Sequence, residues 1–165
     1  MPDRPADDPR ALVGRLYDRH GAALYRYAAI LLGDAAAAED AIHQVFSGLL
    51  RRPVQLNDET HYLRRAVRNE CYTMLRRRRR ESQADRPLLE PVVGHDVGPD
   101  ERIALEGALR ALPPEQREVV HLHVYEGLTF REVADAQDVS INTVTARYRY
   151  ALAKLRETFS RTERP

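Results

Sequence analysis

Tryptophan is absent from this sequence of 165 residues, and cysteine occurs only once. A single cysteine, Cys71, cannot form an intrachain disulfide. The longest apolar stretch, around Leu24 to Leu32, carries Arg26 and is too short to span a bilayer. Residues 1–10 are polar and lack the apolar segment that a signal peptide needs. These absences are those expected of a globular cytoplasmic protein.

Charge is nearly balanced over the chain, at +1, so the total indicates no partner. The distribution along the chain is uneven. Residues 34–50 include three acids and no Lys or Arg, whereas residues 60–80 include eight arginines and one glutamate. Residues 140–156 add four basic residues and no acid. One acidic and two basic segments predict that different faces of the protein bind different partners.

Apolar residues recur at helical spacing, and no alternating strand pattern stands out. The first two predicted helices cover 11–32 and 35–51, and the third is capped by Asn57 or Asp58 and runs to about Arg79. The remaining predicted helices cover 100–111, 114–127, 129–136 and 141–159. Residues 81–99 hold three prolines and two glycines without a helical period, which predicts a linker. The predicted fold is therefore all-α, with a three-helix domain at 11–80, a four-helix domain at 100–160 and a disordered tail at 1–10.

The segment from 129 to 149 has the layout of a helix-turn-helix. Thr129 and Glu132 form a capping-box pattern, and Ser140 caps the longer helix that follows. Its inward face is predicted to hold Ile141, Val144, Tyr148, Leu152 and Leu155. Its outward face holds Asn142, Thr145, Ala146 and Arg149, with Thr143 and Arg147 on the flanks. Short polar and basic side chains suit a major-groove reader. The alternative is a plain helical hairpin with a solvated face.

The third helix carries basic residues interleaved with rings. His61, Arg65, Arg68 and Tyr72 share one outer face, Arg64 and Asn69 flank it, and the run Arg76–Arg80 follows. Guanidinium groups bind phosphates and rings stack on exposed bases, so this helix predicts a nucleic-acid surface. A solvated basic face that leads into a charged linker is the alternative interpretation.

The second helix carries a polar, slightly acidic stripe opposite its apolar face. Asp40, His43, Gln44 and Ser47 recur at helical spacing along it. An acidic stripe would not bind DNA, but it could bind a basic protein surface. Ordinary solvent exposure is the alternative for this stripe when it is taken alone.

The order of these segments resembles the extracytoplasmic-function sigma factors of bacterial RNA polymerase. The stretch AEDAIHQVF resembles the polymerase-binding helix of sigma region 2, and LRRAVRNECYTMLRRR resembles its promoter-binding helix. ALPPEQREVVHLHVYEGLTFREV and VSINTVTARYRYALAKLR resemble the start and the recognition helix of region 4. The resemblance implies a subunit that recognises −35 and −10 promoter elements and opens DNA without ATP, a cofactor or a metal. It further implies docking on the clamp helices and flap of the large polymerase subunits. It also implies inhibition by an anti-sigma protein, with the linker allowing the domains to rearrange.

The resemblance also implies three sets of contact residues. The core polymerase set is Asp40, His43, Gln44, Phe46 and Ser47. The −10 set is His61, Arg64, Arg65, Arg68, Asn69, Tyr72 and Arg76, beside a loop at 53–59 that would hold a flipped base. The −35 set is Ser140, Asn142, Thr143, Thr145, Ala146, Arg147 and Arg149.

Two positions depart from the family pattern. A tryptophan common before the promoter-binding motif is missing, since His61 and Tyr62 precede Leu63 here. Asp138 stands in the recognition-helix turn where glycine is usual, and Asp tolerates the left-handed conformation that such a turn needs.

Three other classes of protein compete with this interpretation. A two-domain DNA-binding regulator would not need the helix at 34–50. An enzyme finds no supporting pattern, because His121 and His123 are two residues apart and face different sides of a helix, and Cys71 lies on an inward face. A structural helical adaptor would have no reason to place basic residues on two separate helices.

Overall fold

The structure is a computed structural model of the chain, and it describes residues 8–52, 54–81 and 99–162. Every regular element in these ranges is helical. The described residues fall into two compact units, 8–28 with 36–81 and 29–35 with 99–162. Residues 1–7 of the predicted tail and 82–98 of the predicted linker lie outside the described residues, whereas Pro9 and Arg10, predicted as part of the tail, already belong to the first helix. No helix in the described ranges is both long and apolar enough to span a membrane.

Three helices form the first part of the chain. They are α1 (Pro9–Leu32), α2 (Ala35–Arg51) and α3 (Glu59–Glu81). Gly33, with φ of 65°, makes the tight turn between α1 and α2, because glycine adopts this left-handed conformation without a steric penalty. Asp58 caps α3 by accepting the backbone N–H of His61 at 2.9 Å, so of the two predicted caps Asp58 is the one used.

Each of these helices turns an apolar face inward. The buried side chains include Leu16, Leu24, Tyr27, Ala41, Ile42, Phe46, Leu49, Leu63, Val67 and Cys71. Cys71 is fully buried, as predicted for a core residue. Each Leu or Val removed from water stabilises the fold by about 1.5–3 kcal/mol, so this face rather than helix propensity holds α3 in place.

Four helices make up the second part. They are α4 (Pro99–Ala111), α5 (Pro114–Val120), α6 (Phe130–Gln137) and α7 (Ile141–Thr162), and α7 packs against the other three. The predicted helix from 114 to 127 differs in one respect, because its second half, His121–Tyr125, is π-helical. The backbone N–H of Glu126 closes this wider turn on the carbonyl of His121.

The turn between α6 and α7 is built as the sequence predicts. Thr129 and Glu132 form both bonds of a capping box at the start of α6. Asp138 ends α6 in the left-handed conformation, with φ of 55° and ψ of 49°, which confirms the expectation for this departure from glycine. The Ser140 hydroxyl accepts the backbone N–H of Thr143 at 3.1 Å and caps α7. One inward prediction is wrong, since Ile141 is 39% exposed because it occupies the first turn of α7, at the edge of the packed face.

Candidate functional site

The first turn of α3 is fixed to α1 by a clasp of three side chains. Oε2 of Glu59 accepts Nη1–H of Arg19 at 3.1 Å and lies 3.3 Å from Nε2 of His20. The Arg19 side chain is 71% exposed, whereas that of His20 is 16% exposed. Together with the Asp58 cap, this clasp sets the position of the helix start and of the loop that precedes it.

The outer face of α3 has an exposed part and a half-buried part. His61, Arg65, Asn69 and Arg76 are exposed, whereas Arg64, Arg68 and Tyr72 are half-buried. The guanidinium carbon of Arg68 lies 4.5 Å from the centre of the Tyr72 ring, which is a cation–π contact. The face therefore presents positive charge and a ring side by side, and the predicted −10 residues are brought together on one helix.

The second half of α3 remains basic to its end. Nη2 of Arg76 donates to the Thr73 hydroxyl at 3.1 Å. Arg77, Arg79 and Arg80 are exposed, and Arg77 forms an ion pair with Glu81 one turn on. Exposed ion pairs of this kind contribute about 0–1 kcal/mol, so the run acts as a source of positive field rather than as a stabilising element.

The predicted stripe on α2 is exposed, whereas the fifth member of the predicted polymerase set, Phe46, is buried. Asp40, His43, Gln44 and Ser47 are all exposed. Phe46 is only 6% exposed, and its ring meets Tyr17 of α1 edge-on at 5.2 Å between centroids. Phe46 lies two residues past Gln44, so it points to the opposite, apolar side of α2. Its place is in the core, where it supports Tyr17, and not in the exposed stripe itself.

The predicted −35 face of α7 contains both exposed and engaged side chains. Asn142, Thr145 and Arg149 are exposed, whereas Thr143, Ala146 and Arg147 are half-buried. Ser140 is exposed, but its hydroxyl is already paired with Thr143 in the helix cap. The exposed polar groups at the helix start are thus an amide, a guanidinium and the Thr145 hydroxyl, which donates to the Ile141 carbonyl at 2.9 Å.

Arg147 is held by a residue outside the predicted −35 set. Its Nη1–H donates at 2.9 Å to Oε1 of Gln137, the last residue of α6, which is 3% exposed. No sequence pattern marks Gln137, because a Gln in a short polar helix gives no sign that its side chain turns inward. The same holds for Glu59, whose partners lie about 40 residues away in the sequence.

The two histidines of the π-helix serve packing. His121 is stacked on Tyr125 at 5.1 Å, and its Nε2 lies 3.2 Å from Oε1 of Glu126. His123 donates from Nδ1 to the Leu128 carbonyl at 2.7 Å, and its ring contacts Phe130 and Tyr148. The two rings therefore have separate partners. Within the described ranges, no group of three or more His, Cys, Asp or Glu side chains is placed to hold a metal ion.

Two segments of the sequence match known protein families, and together they contain the surfaces described above. Residues 16–81 match Sigma-70 region 2, and residues 108–157 match Sigma-70, region 4. The first match contains α2 and α3, with the acidic stripe and the first basic face. The second contains the helix-turn-helix.

Named relatives and solved structures agree with these matches. The chain is 30% identical over 162 residues to ECF RNA polymerase sigma factor SigL of Mycobacterium tuberculosis, covering 90% of this chain and 89% of that protein. It is 32% identical over 139 residues to RNA polymerase sigma-E factor of Streptomyces coelicolor, covering 82% and 78%. The fold resembles sigma factor RpoE of Bartonella quintana, solved in complex with the anti-sigma factor NepR, with a TM-score of 0.70, 23% identity and coverage of 92% and 98%. Because both regions match and the relatives are similar over nearly the whole chain, this chain belongs to the ECF sigma factors of RNA polymerase.

Proposed function

We propose that this sigma factor binds core RNA polymerase through α2, reads the −35 element through α7, and captures the −10 element through α3 and the loop before it. The observation that carries this division of roles is the separation of charge. An exposed polar stripe with Asp40 lies on α2, whereas basic faces lie on α3 and α7. DNA repels an acidic stripe and attracts both basic faces, so one protein partner and two DNA contacts account for all three surfaces.

The proposed domains follow from these roles. Residues 11–80 form the region 2 domain, and residues 100–160 form the region 4 domain. Residues 81–99 act as the linker, and the residues before Pro9, where α1 begins, act as a tail outside both domains. The chain contributes recognition and binding energy, whereas the catalysis of RNA synthesis stays with the polymerase, so the protein works in the cytoplasm where the polymerase is.

Docking on polymerase is assigned to the exposed members of the α2 stripe, Asp40, His43, Gln44 and Ser47. Phe46 contributes indirectly, because it is buried against Tyr17 and sets how α2 lies on α1. This arrangement separates the docking surface from the core. A change of charge on the stripe should therefore alter binding without unfolding the helix.

The test of the docking role is the charge reversal Asp40→Lys. We expect a loss of affinity for purified bacterial core polymerase of about 10-fold or more, because a like charge then faces the basic partner. The thermal midpoint should change little, since Asp40 is exposed. Fluorescence anisotropy of labelled protein titrated with core polymerase measures the first quantity, and calorimetry measures the second.

Glu157→Lys provides a matched control, because it makes the same change of charge at an exposed position on α7. It should leave core affinity near the wild-type value. Equal affinity of wild type and Asp40→Lys would remove the docking role from α2. Equal loss in both variants would assign the effect to total charge rather than to the stripe.

The −10 role of α3 rests on its pairing of positive charge with rings. Arg65 and Arg76 supply exposed charge for phosphates, and His61 lies beside the loop that precedes the helix. Tyr72 with Arg68 over its ring provides a flat surface on which an unstacked base can lie. In this chain the pairing supplies a ring for an unstacked −10 base, although the tryptophan common in the family is missing.

An anti-sigma protein completes the proposed set of partners. The structure of Bartonella quintana RpoE, which this fold resembles, contains one. We propose that such a partner covers both domains and that the linker at 81–99 allows the inhibited and polymerase-bound arrangements to interconvert.

A further inference from the structure

A buried amide connects the two helices of the helix-turn-helix. Gln137 ends α6 and is 3% exposed, and its Oε1 accepts Nη1–H of Arg147 at 2.9 Å. Among the residues that the structure describes, Nε2 of Gln137 has no hydrogen-bond partner. A buried amide with one unpaired group is less favourable than a hydrocarbon side chain of similar size. Stability therefore does not explain why a glutamine occupies this position. The one hydrogen bond that it makes, to Arg147, offers another reason.

The bond restricts what Arg147 can do on DNA. Arg147 is half-buried, whereas Arg149, two residues further on, is exposed. One N–H of the Arg147 guanidinium is committed to α6, so the side chain is held at the corner between α6 and α7. Four N–H groups remain, but Arg147 lies on the flank of α7 rather than on the outward face with Asn142 and Arg149, and bidentate reading of guanine needs the guanidinium at the base edge. A phosphate oxygen needs only one donor and a positive charge, and phosphates border the groove.

We propose that Gln137 is a positioning residue that holds Arg147 against a DNA phosphate beside the −35 element. This inference rests on the proposed function of α7 and adds a fixed backbone contact to it. The contact is separate from the base-reading side chains Asn142, Thr145 and Arg149. Phosphate contacts set the register and orientation of a recognition helix, and they carry no direct sequence information. Loss of Gln137 therefore weakens binding to all −35 sequences alike.

The experiment compares wild type and Gln137→Met, each bound to bacterial core polymerase, on a duplex promoter that the wild-type holoenzyme uses. Association is measured over a salt series at low temperature, where the duplex stays closed. In a plot of log K against log salt concentration, the loss of one phosphate contact makes the negative slope less steep by about 0.9. Because the counterion-release contribution vanishes at 1 M salt, this change predicts about an eightfold loss of affinity at 0.1 M salt. The base preference at each −35 position should stay unchanged.

Thermal stability separates this role from a structural one. Methionine fills nearly the same volume and leaves no unpaired amide, so the Tm of Gln137→Met should equal or exceed that of wild type. Gln116→Met is the matched control, because Oε1 of Gln116 in α5 is likewise buried and without a partner among the described residues. Gln116→Met should leave the salt slope unchanged.

Arg147→Ala should reproduce the slope of Gln137→Met, and the double variant should lose nothing more. An unchanged slope in Gln137→Met would overturn the positioning role. A lower Tm together with altered preferences would overturn it in favour of a structural role. A shift in preference at one base pair in both variants would show that Arg147 reads a base. Wild-type holoenzyme that initiates at no promoter would instead overturn the proposed function.

Discussion

The basic faces of α3 and α7 carry similar residue types in different arrangements. On both helices an arginine lies over a ring, Arg68 over Tyr72 on α3 at 4.5 Å and Arg149 over Tyr150 on α7 at 5.5 Å. Near its end α3 adds five consecutive arginines, whereas the start of α7 exposes the short amide and hydroxyl side chains of Asn142 and Thr145. The first face therefore concentrates positive charge, whereas the second places short hydrogen-bonding groups beside its arginine.

We expect this difference to correspond to two states of DNA. Base edges in a duplex major groove are read by short hydrogen-bonding side chains that can approach them. Unstacked bases in a single strand offer ring faces, and they bind to aromatic side chains inside a positive field. The comparison predicts that variants of α7 change sequence preference, whereas variants of α3 change overall affinity and its dependence on salt.

The largest expected effect comes from Arg149→Ala and Asn142→Ala. Each removes an exposed donor from the base-reading face, so discrimination between a matched and a mismatched −35 base pair should fall by about 1–3 kcal/mol. Competition binding of the holoenzyme to promoters that differ at single −35 positions measures this loss. Preserved discrimination in both variants would reject this face as the reader.

Arg65→Ala should give a more uniform effect on the other face. Arg65 is exposed on α3, and loss of one phosphate contact lowers the salt slope by about 0.7–0.9 without changing base preference. Salt titrations of holoenzyme on a promoter with an unpaired −10 strand measure it. Arg26→Ala on α1 is the control, because Arg26 is exposed outside both basic faces. A change of −10 sequence preference in Arg65→Ala would show that Arg65 reads a base rather than binding a phosphate.

Side-chain caps start both α3 and α6, the helix that precedes α7, and the two caps can be compared directly. Asp58→Ala and Thr129→Ala should each lower the free energy of unfolding by about 0.5–2 kcal/mol, because each removes an acceptor from a helix start. Urea unfolding measures both. Asn57→Ala is the control for α3, since the cap is made by its neighbour. Thr129→Ser should retain most of the stability of α6. A larger loss in Asn57→Ala than in Asp58→Ala would contradict the observed cap.

The smallest effect is expected for Arg19→Ala, which removes one member of the clasp on Glu59. The Arg19 side chain is 71% exposed, so solvent screens the pair and its contribution should be a few tenths of a kcal/mol. Urea unfolding at low and at high salt measures this difference, which should shrink as salt is raised. A loss above about 1 kcal/mol that persists at high salt would show that the clasp has a larger structural role.

Local signals in the sequence were sufficient for most of the fold. Apolar spacing predicted the helices, and the Thr129–Glu132 pair predicted a capping box that the structure contains. The left-handed Asp138 also followed from the chemistry of its side chain. These features depend on residues within one or two helical turns of each other, so the sequence contains the information needed to recognise them.

Features that depend on distant residues were not predictable in the same way. Apolar spacing predicted that Phe46 faces inward, but not that its ring meets Tyr17 of another helix, and the position of Arg147 depends on an inward-turned Gln137. The π-helical turn at His121–Tyr125 adds one residue to a turn, and no composition signal marks it. For the same reason the sequence predicted which faces are polar but not which side chains on those faces are already engaged.

Run-off transcription with purified bacterial core polymerase over a promoter library tests whether this protein acts as a sigma factor. We expect the protein to convert core polymerase into a form that initiates at promoters sharing a discrete −35 and −10 pair. We also expect Arg149→Ala to relax only the −35 part of that pair. Binding of the protein to DNA without binding to core polymerase, and without initiation, would show that it is not a sigma factor.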